Sequence, residues 1–392
     1  MKTLKEELCR ELQQNILPFW QTRMPDKAGG FIGRIDGQGN ACPNAEKGAI
    51  LNARILWTFS SAWRILRVPE YLDTAKRAYN YISEHFIDRE YGGAFWSVNA
   101  DGSPKDTKKQ FYAIAFIIYA LAEFYRACGD EAALQLAVEL FRSIESHSLD
   151  SIGEGYIEAC TRDWGTIDDM RLSEKDQNDA KTMNTHLHIL EAYTGLYRVW
   201  KTPESEQALR RVTGIFLDRI VRPDGHLGLF FDENWNSTSS MVSYGHDIEA
   251  SWLLCEAAAV LGDNELETVV REVSGRIAQA SMEGFTVDGG MEYEYDPSSG
   301  VRHSSRDWWV QAETVVGCIN RYGLTGDRLW MERARAQWDF IVKHIICPDG
   351  EWYWSALPVD GGFVPNTTDD RAGFWKCPYH NGRMCMEIIE RL

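Results

Sequence analysis

The amino-acid sequence predicts an all-α fold, an (α/α)6 barrel of six inner and six outer helices with short β-hairpins and loops at one end. Three observations predict it: a signature that recurs six times, a pair of helical patterns between consecutive signatures, and one unpaired helix at each end of the chain. The signature joins glycine to aromatic residues: GGFIGRI at 29, YGGAFWSV at 91, GEGYIEAC at 153, DGHLGLFF at 224, DGGMEYEY at 288 and DGEWYWS at 349. The copies lie roughly sixty residues apart, the spacing of a supersecondary repeat. Each is short, alternating and flanked by turn residues, so each reads as a small strand or hairpin.

The helical pairs follow the signatures. KKQFYAIAFIIYALAEFYRACG is apolar almost all round, the pattern of a helix buried on every side. DEAALQLAVELFRSIESH sets Leu134, Ala137, Phe141 and Ile144 on one face with charges opposite, as an outer helix does. The same order returns in IEASWLLCEAAAVLG with DNELETVVREVSGRIAQA, and in WWVQAETVVGCINRYG with DRLWMERARAQWDFIVKHI. A lone amphipathic helix precedes the first signature and another, YHNGRMCMEIIERL, follows the last. Packed together they make the sixth pair of a closed ring spanning residues 1–392 as one domain. An open solenoid would leave both half-repeats exposed without polar caps.

Composition narrows the function. The 392 residues are 44% hydrophobic, enough for a large core, and carry 58 acidic against 41 basic side chains. A formal charge of −17 argues against nucleic acid or anionic lipid as partners, since phosphate contacts need clustered Lys and Arg. Nine dispersed cysteines with no Cys-x-x-Cys pair fit reduced thiols, and no signal peptide or membrane-spanning run is expected. A cytoplasmic monomer is the expectation. Fifteen Trp and sixteen each of Tyr and Phe supply ring faces for a core, or for the flat C–H faces of sugars.

Ionisable residues then mark a site. Aligned without gaps on their C-terminal ends, the inner helices place Arg54, Phe116, His188, Glu249 and Glu313 at one equivalent position near their N-termini. In a ring of parallel inner helices these converge on one mouth, where buried charge must be paired or functional. The last inner helix adds Trp375 and His380. Two long connections, 161–181 and 356–374, border the same end as covers. His246-x-x-Glu249 shares a helix face, but a two-metal site needs a second copy and further carboxylates, so no metal is expected. Acid–base chemistry by His188, His246 and His380 fits better, with Glu249 orienting His246. His85, His147, His226, His303 and His344 read as surface or packing residues.

The segments TMNTHLHILEAY, SYGHDIEASW, WWVQAETVVG and WKCPYHNGRMCME resemble the cellobiose 2-epimerase branch of the N-acylglucosamine 2-epimerase superfamily, as do NARILW and YGGAFW, and the likeness runs end to end. It implies reversible epimerisation at C2 of the reducing-end sugar of β-1,4-linked disaccharides, with no cofactor. It also implies His246 and His380 as bases on opposite faces of C2, Glu249 with His246, and His188 with Asn184 at ring opening or at O1 and O2. Arg54 would stabilise the enediolate, Trp309 and Trp375 would stack on sugar, and Tyr112 and Glu313 would contact hydroxyls. The rivals are another epimerase or aldose–ketose isomerase of the superfamily, an (α/α)6 glycosidase using Glu249 and Glu313, and a non-catalytic sugar-binding protein.

Overall fold

The computed structural model describes residues 3–392 and has the expected (α/α)6 barrel. In chain order the helices are α1 (Leu4–Glu11), α2 (Leu17–Thr22), α3 (Ala49–Leu66), α4 (Pro69–Tyr81), α5 (Phe111–Cys128), α6 (Glu131–His147) and α7 (Met183–Val199). They continue with α8 (Pro203–Ile215), α9 (Tyr244–Leu261), α10 (Asn264–Ser281), α11 (Trp308–Thr325), α12 (Arg328–His344) and α13 (Tyr379–Arg391). A π-helical turn, Leu12–Ile16, joins α1 to α2.

The odd-numbered helices from α3 to α13 form the inner ring. Each packs on the next, and α13 returns to α3. The even-numbered helices from α4 to α12 each cover the inner helix before them, and α1 covers α13. The first and last helices therefore make the sixth pair. The open solenoid is excluded by this contact, which buries the apolar faces its ends would expose.

The inner helices are apolar on nearly all sides because both neighbours and an outer helix cover them. This corrects one expectation. Phe111–Cys128 is long and apolar enough to cross a membrane, yet it is α5, a ring helix packed between α3 and α7. Gly129, Gly262 and Gly326 end α5, α9 and α11 in the left-handed region, where a side chain would be strained.

The six signatures all lie at the N-terminal ends of the inner helices and link neighbouring repeats there. Lys47–Gly48 pairs with Ser97–Val98, Lys109–Gln110 with Ala159–Cys160, and Lys181–Thr182 with Phe230–Phe231. Val242–Ser243 pairs with Glu294–Tyr295 and Arg306–Asp307 with Ser355–Ala356. A bridge between Ile35 and Ala372 makes the sixth link and closes the ring.

A buried ion pair staples most of these joints. Lys47 Nζ lies 2.6 Å from Asp26, Lys109 Nζ 2.7 Å from Asp88, Lys181 Nζ 2.9 Å from Asp150 and Lys376 Nζ 2.7 Å from Glu351. Arg306 plays this part 3.5 Å from Asp288, and the fourth repeat has Val242 instead. The acid of each pair sits in the turn that leads into a signature or opens it, and the base stands just before an inner helix. A buried charge is tolerated when it is paired and hydrogen-bonded, so each staple fixes where the next inner helix begins.

Candidate active site

A cavity of about 700 Å³ opens at this end of the ring. Arg54, Tyr112, Asn184, His188, His246, Glu249, Trp309, Trp375 and His380 line it, nine of the ten residues singled out in the sequence. Glu313 is the exception, fully buried behind the wall. All ten sit in the first two turns of an inner helix or just before one. Helix N-termini carry partial positive charge, so this mouth favours an anion. The 161–181 connection supplies Met170 to Gln177, and Asp179, to the rim. The second cover is a hairpin, Ser355–Val359 with Gly362–Pro365, rather than an irregular loop. His303, an exposed surface residue as expected, also stands on the rim, while His226 is a packing residue whose Nδ1 donates to Asp247 at 2.7 Å.

The three cavity histidines are held differently. His188 Nδ1 donates to Glu191 Oε2 at 3.0 Å, and His380 Nδ1 donates to Glu313 Oε1 at 2.7 Å. His246 Nδ1 meets only the Ser243 hydroxyl, at 2.8 Å. The expected Glu249–His246 pair does not form. Glu249 instead accepts from Arg383 Nη2 at 2.5 Å and lies 4.0 Å from His380 Nδ1. Glu313, expected to meet a sugar hydroxyl, is the carboxylate that orients His380. Side chains three apart on a helix share a face but need not touch, and here Glu249 points one turn deeper than the ring of His246.

That deeper layer is centred on Arg383. Its Nη2 bridges Glu249 and Glu313, at 2.5 and 2.6 Å, and its Nη1 donates to Glu191 and meets the Tyr379 hydroxyl. Trp252 Nε1 donates to the other oxygen of Glu313 at 3.0 Å. Glu191 and Arg383 were missed in the sequence. The signal was there: His188-x-x-Glu191, His246-x-x-Glu249 and His380-x-x-Arg383 repeat one spacing on three inner helices.

Charge in this layer follows from burial and partners. Burial raises Glu313, but Arg383 and the His380 hydrogen bond outweigh it and hold the carboxyl at about 2. Burial and the like charge of Glu313 push Glu249 well above the usual carboxylate range. Glu249, Glu313 and His380 present atoms close enough to bind a cation, but the Arg383 guanidinium already lies between the two carboxylates.

Burial lowers all three histidines. Neighbouring His188 and His380 help depress His246 to about 3. His380 is also depressed to about 3, with Glu313 opposing the shift, and His188 is depressed although Glu191 opposes it. The His246 and His380 rings are therefore neutral in the free protein at neutral pH. NMR titration of the ring protons of His246 and His380 is expected to show no midpoint in the ordinary histidine range of about 6 to 7. A midpoint near 6.5 on either would mean that its burial is not maintained in solution.

Arg54 is buried, and its partners are the Tyr112 hydroxyl at 2.9 Å, the Trp375 carbonyl at 3.3 Å and Cys377 Sγ at 3.7 Å. Burial opposes its charge, yet Tyr112, Cys377 and Tyr379 keep its pKa above the ordinary value. None of these partners is a carboxylate, so a buried cation faces the cavity without a counter-ion. Tyr112 accepts from Arg54, which leaves its own proton for a ligand. The Trp309 ring lies 4.7 Å from His246 and 5.7 Å from His380, centre to centre, flanking both.

A family model described as N-acylglucosamine 2-epimerase matches residues 30–376. The chain is 55% identical over 389 residues to a cellobiose 2-epimerase of Bacteroides fragilis, covering 98% of each, and 42% identical to one of Ruminococcus albus at the same coverage. A cellobiose 2-epimerase structure from Bacillus thermoamylovorans matches over 100% of both chains, with a TM-score of 0.95 and 38% identity. A D-mannose isomerase structure matches with a TM-score of 0.85 at 18% identity, a likeness of fold alone.

Proposed function

The chain belongs to the N-acylglucosamine 2-epimerase family, and from that membership we propose that it interconverts the glucose and mannose forms of the reducing-end sugar of cellobiose. It is a carbohydrate epimerase. The relatives named as cellobiose 2-epimerases support the substrate. The observation that carries the chemistry is the convergence of His188, His246 and His380, from three inner helices, on a cavity that also holds the uncompensated charge of Arg54.

C2 epimerisation begins with ring opening to the aldehyde. A base then takes the C2 proton, which is acidified by the adjacent carbonyl, and leaves an enediolate. Arg54, the Tyr112 hydroxyl and the helix N-termini face that negative charge from buried positions, where such stabilisation is stronger than in water. Return of a proton to the opposite face gives the epimer. His246 and His380 act as the two bases. Burial keeps both neutral in the empty cavity, and the sugar's developing negative charge offsets that desolvation, so one ring can hold the proton that the opposite face requires. Trp309 and Trp375 are platforms for the sugar faces.

The glycosidase reading fares worse. Its two carboxylates must flank a glycosidic bond. Glu249 and Glu313 instead share one guanidinium nitrogen, and Glu313 does not reach the cavity.

Proton NMR of the protein with cellobiose in D2O tests the function. The expected result is growth of glucosyl-mannose signals with deuterium at C2. Release of free glucose would establish hydrolysis instead, and an unchanged spectrum would remove cellobiose as substrate.

A further inference from the structure

We propose that Glu191 is a positioning residue for ring opening, which fixes the tautomer of His188 so that Nε2 is the base that takes the O1 proton of the cyclic sugar. The inference rests on the epimerase reading and deepens it.

Glu191 stands one turn below His188 on α7 and is buried, at 2% exposure. One oxygen takes the hydrogen bond from His188 Nδ1, and the other accepts from Arg383 and from the Tyr379 hydroxyl. Every hydrogen-bond partner of this carboxylate donates to it, and although burial opposes its charge, Arg383 and His188 hold its pKa below the ordinary value. An ionised carboxylate only accepts, so a neutral His188 carries its proton on Nδ1. Its Nε2 then holds a lone pair. Nδ1–Glu191 is the ring's one hydrogen bond among the described residues, and the ring lines the cavity. Tyr112 and Phe116 pack on it, with ring centres 4.8 and 4.5 Å away, and hold its plane.

The contrast with His246 sharpens the assignment. The Ser243 hydroxyl can donate or accept, so it leaves the tautomer of His246 open. His380 shares the arrangement of His188, its Nδ1 donating to Glu313, so these two rings present a fixed Nε2 lone pair and His246 does not. Ring opening uses that lone pair. Nε2 takes the proton from O1, a carbonyl forms between C1 and O1, and the C1–O5 bond breaks with its electron pair going to O5. The imidazolium returns the proton to O5. Both oxygens are bonded to C1, so one nitrogen can serve both, and Glu191 stabilises the transient imidazolium.

Two measurements test this. In the wild-type protein, long-range proton–nitrogen NMR of His188 should show the hydrogen on Nδ1 and a bare Nε2; a hydrogen on Nε2 would overturn the proposal without any variant. In Glu191→Gln, saturation-transfer NMR between the α and β anomers of cellobiose should show enzyme-catalysed exchange reduced about tenfold or more, part of the roughly 10²–10⁴-fold contribution of a general base. Epimerisation kcat should fall in parallel, with KM changed less than about threefold. A purely structural role would instead move KM and the melting curve while leaving the anomer exchange of the folded fraction intact. If the wild type epimerises cellobiose and Glu191→Gln exchanges anomers at the wild-type rate, this proposal alone falls. If the wild type epimerises nothing, the proposed reaction falls first.

Discussion

Replacing His380 by alanine is expected to lower kcat for C2 epimerisation by about 10³-fold, within the range for loss of a positioned acid–base group. The fold should survive, because Glu313 keeps Arg383 and Trp252 as partners once the imidazole is gone. His246→Ala should be equally inactive. The two variants become informative through what they still do in D2O. A variant with one base can remove the C2 proton of the epimer whose proton faces that base, and can return deuterium to the same face. Each variant should therefore wash deuterium into one epimer without converting it, and the two should choose opposite epimers. Exchange at the same epimer in both would place the two histidines on one face and end the two-base scheme. Retention of most of the rate by either would remove that histidine from the proton transfers.

Much of this site was legible because it sits on a repeat. Once the inner helices were aligned, His188, Glu249 and Glu313 fell at one level without any knowledge of their contacts, and the barrel follows from the same periodicity. Side-chain direction was less legible. Glu249 and His246 share a helix face, but a residue three positions on lies a turn deeper, and there a guanidinium from another helix claimed the carboxylate. The true partner of His380, Glu313, comes from a neighbouring helix, and no spacing within one segment reports such a pair. The staples joining the repeats were visible only as a basic residue shortly before five of the six inner helices, a pattern that gains meaning once the acidic turns lie beside them.

The second large effect is on stability. Arg383 is fully buried, neutralises the carboxylates of Glu191 on α7 and Glu313 on α11 and donates to Glu249 on α9, holding three inner helices to α13. Arg383→Met keeps the bulk and removes the charge, leaving buried acids without a counter-ion. Breaking a buried pair from one side costs about 3–5 kcal/mol, and with two ionised carboxylates affected, Glu191 and Glu313, the loss should reach the upper end of that range. The pH dependence gives the cause. In the wild type, Glu191 and Glu313 are held below the usual carboxylate range, so their contribution is present above an unfolded pKa of about 4.3 and is lost as pH falls. Without Arg383, burial raises the same groups above their unfolded value, and the folded variant takes up protons that the unfolded chain does not hold. Its stability must then decline as pH rises through the neutral range. The gap between wild type and variant, read from denaturant melts, should be widest near pH 8 and narrow towards pH 5. A gap that is constant across this range would trace the loss to packing alone. A gap below about 1 kcal/mol at pH 8 would mean that the carboxylates of Glu191 and Glu313 do not depend on Arg383, and that the deeper layer is held by Trp252, Tyr379 and the helix contacts instead.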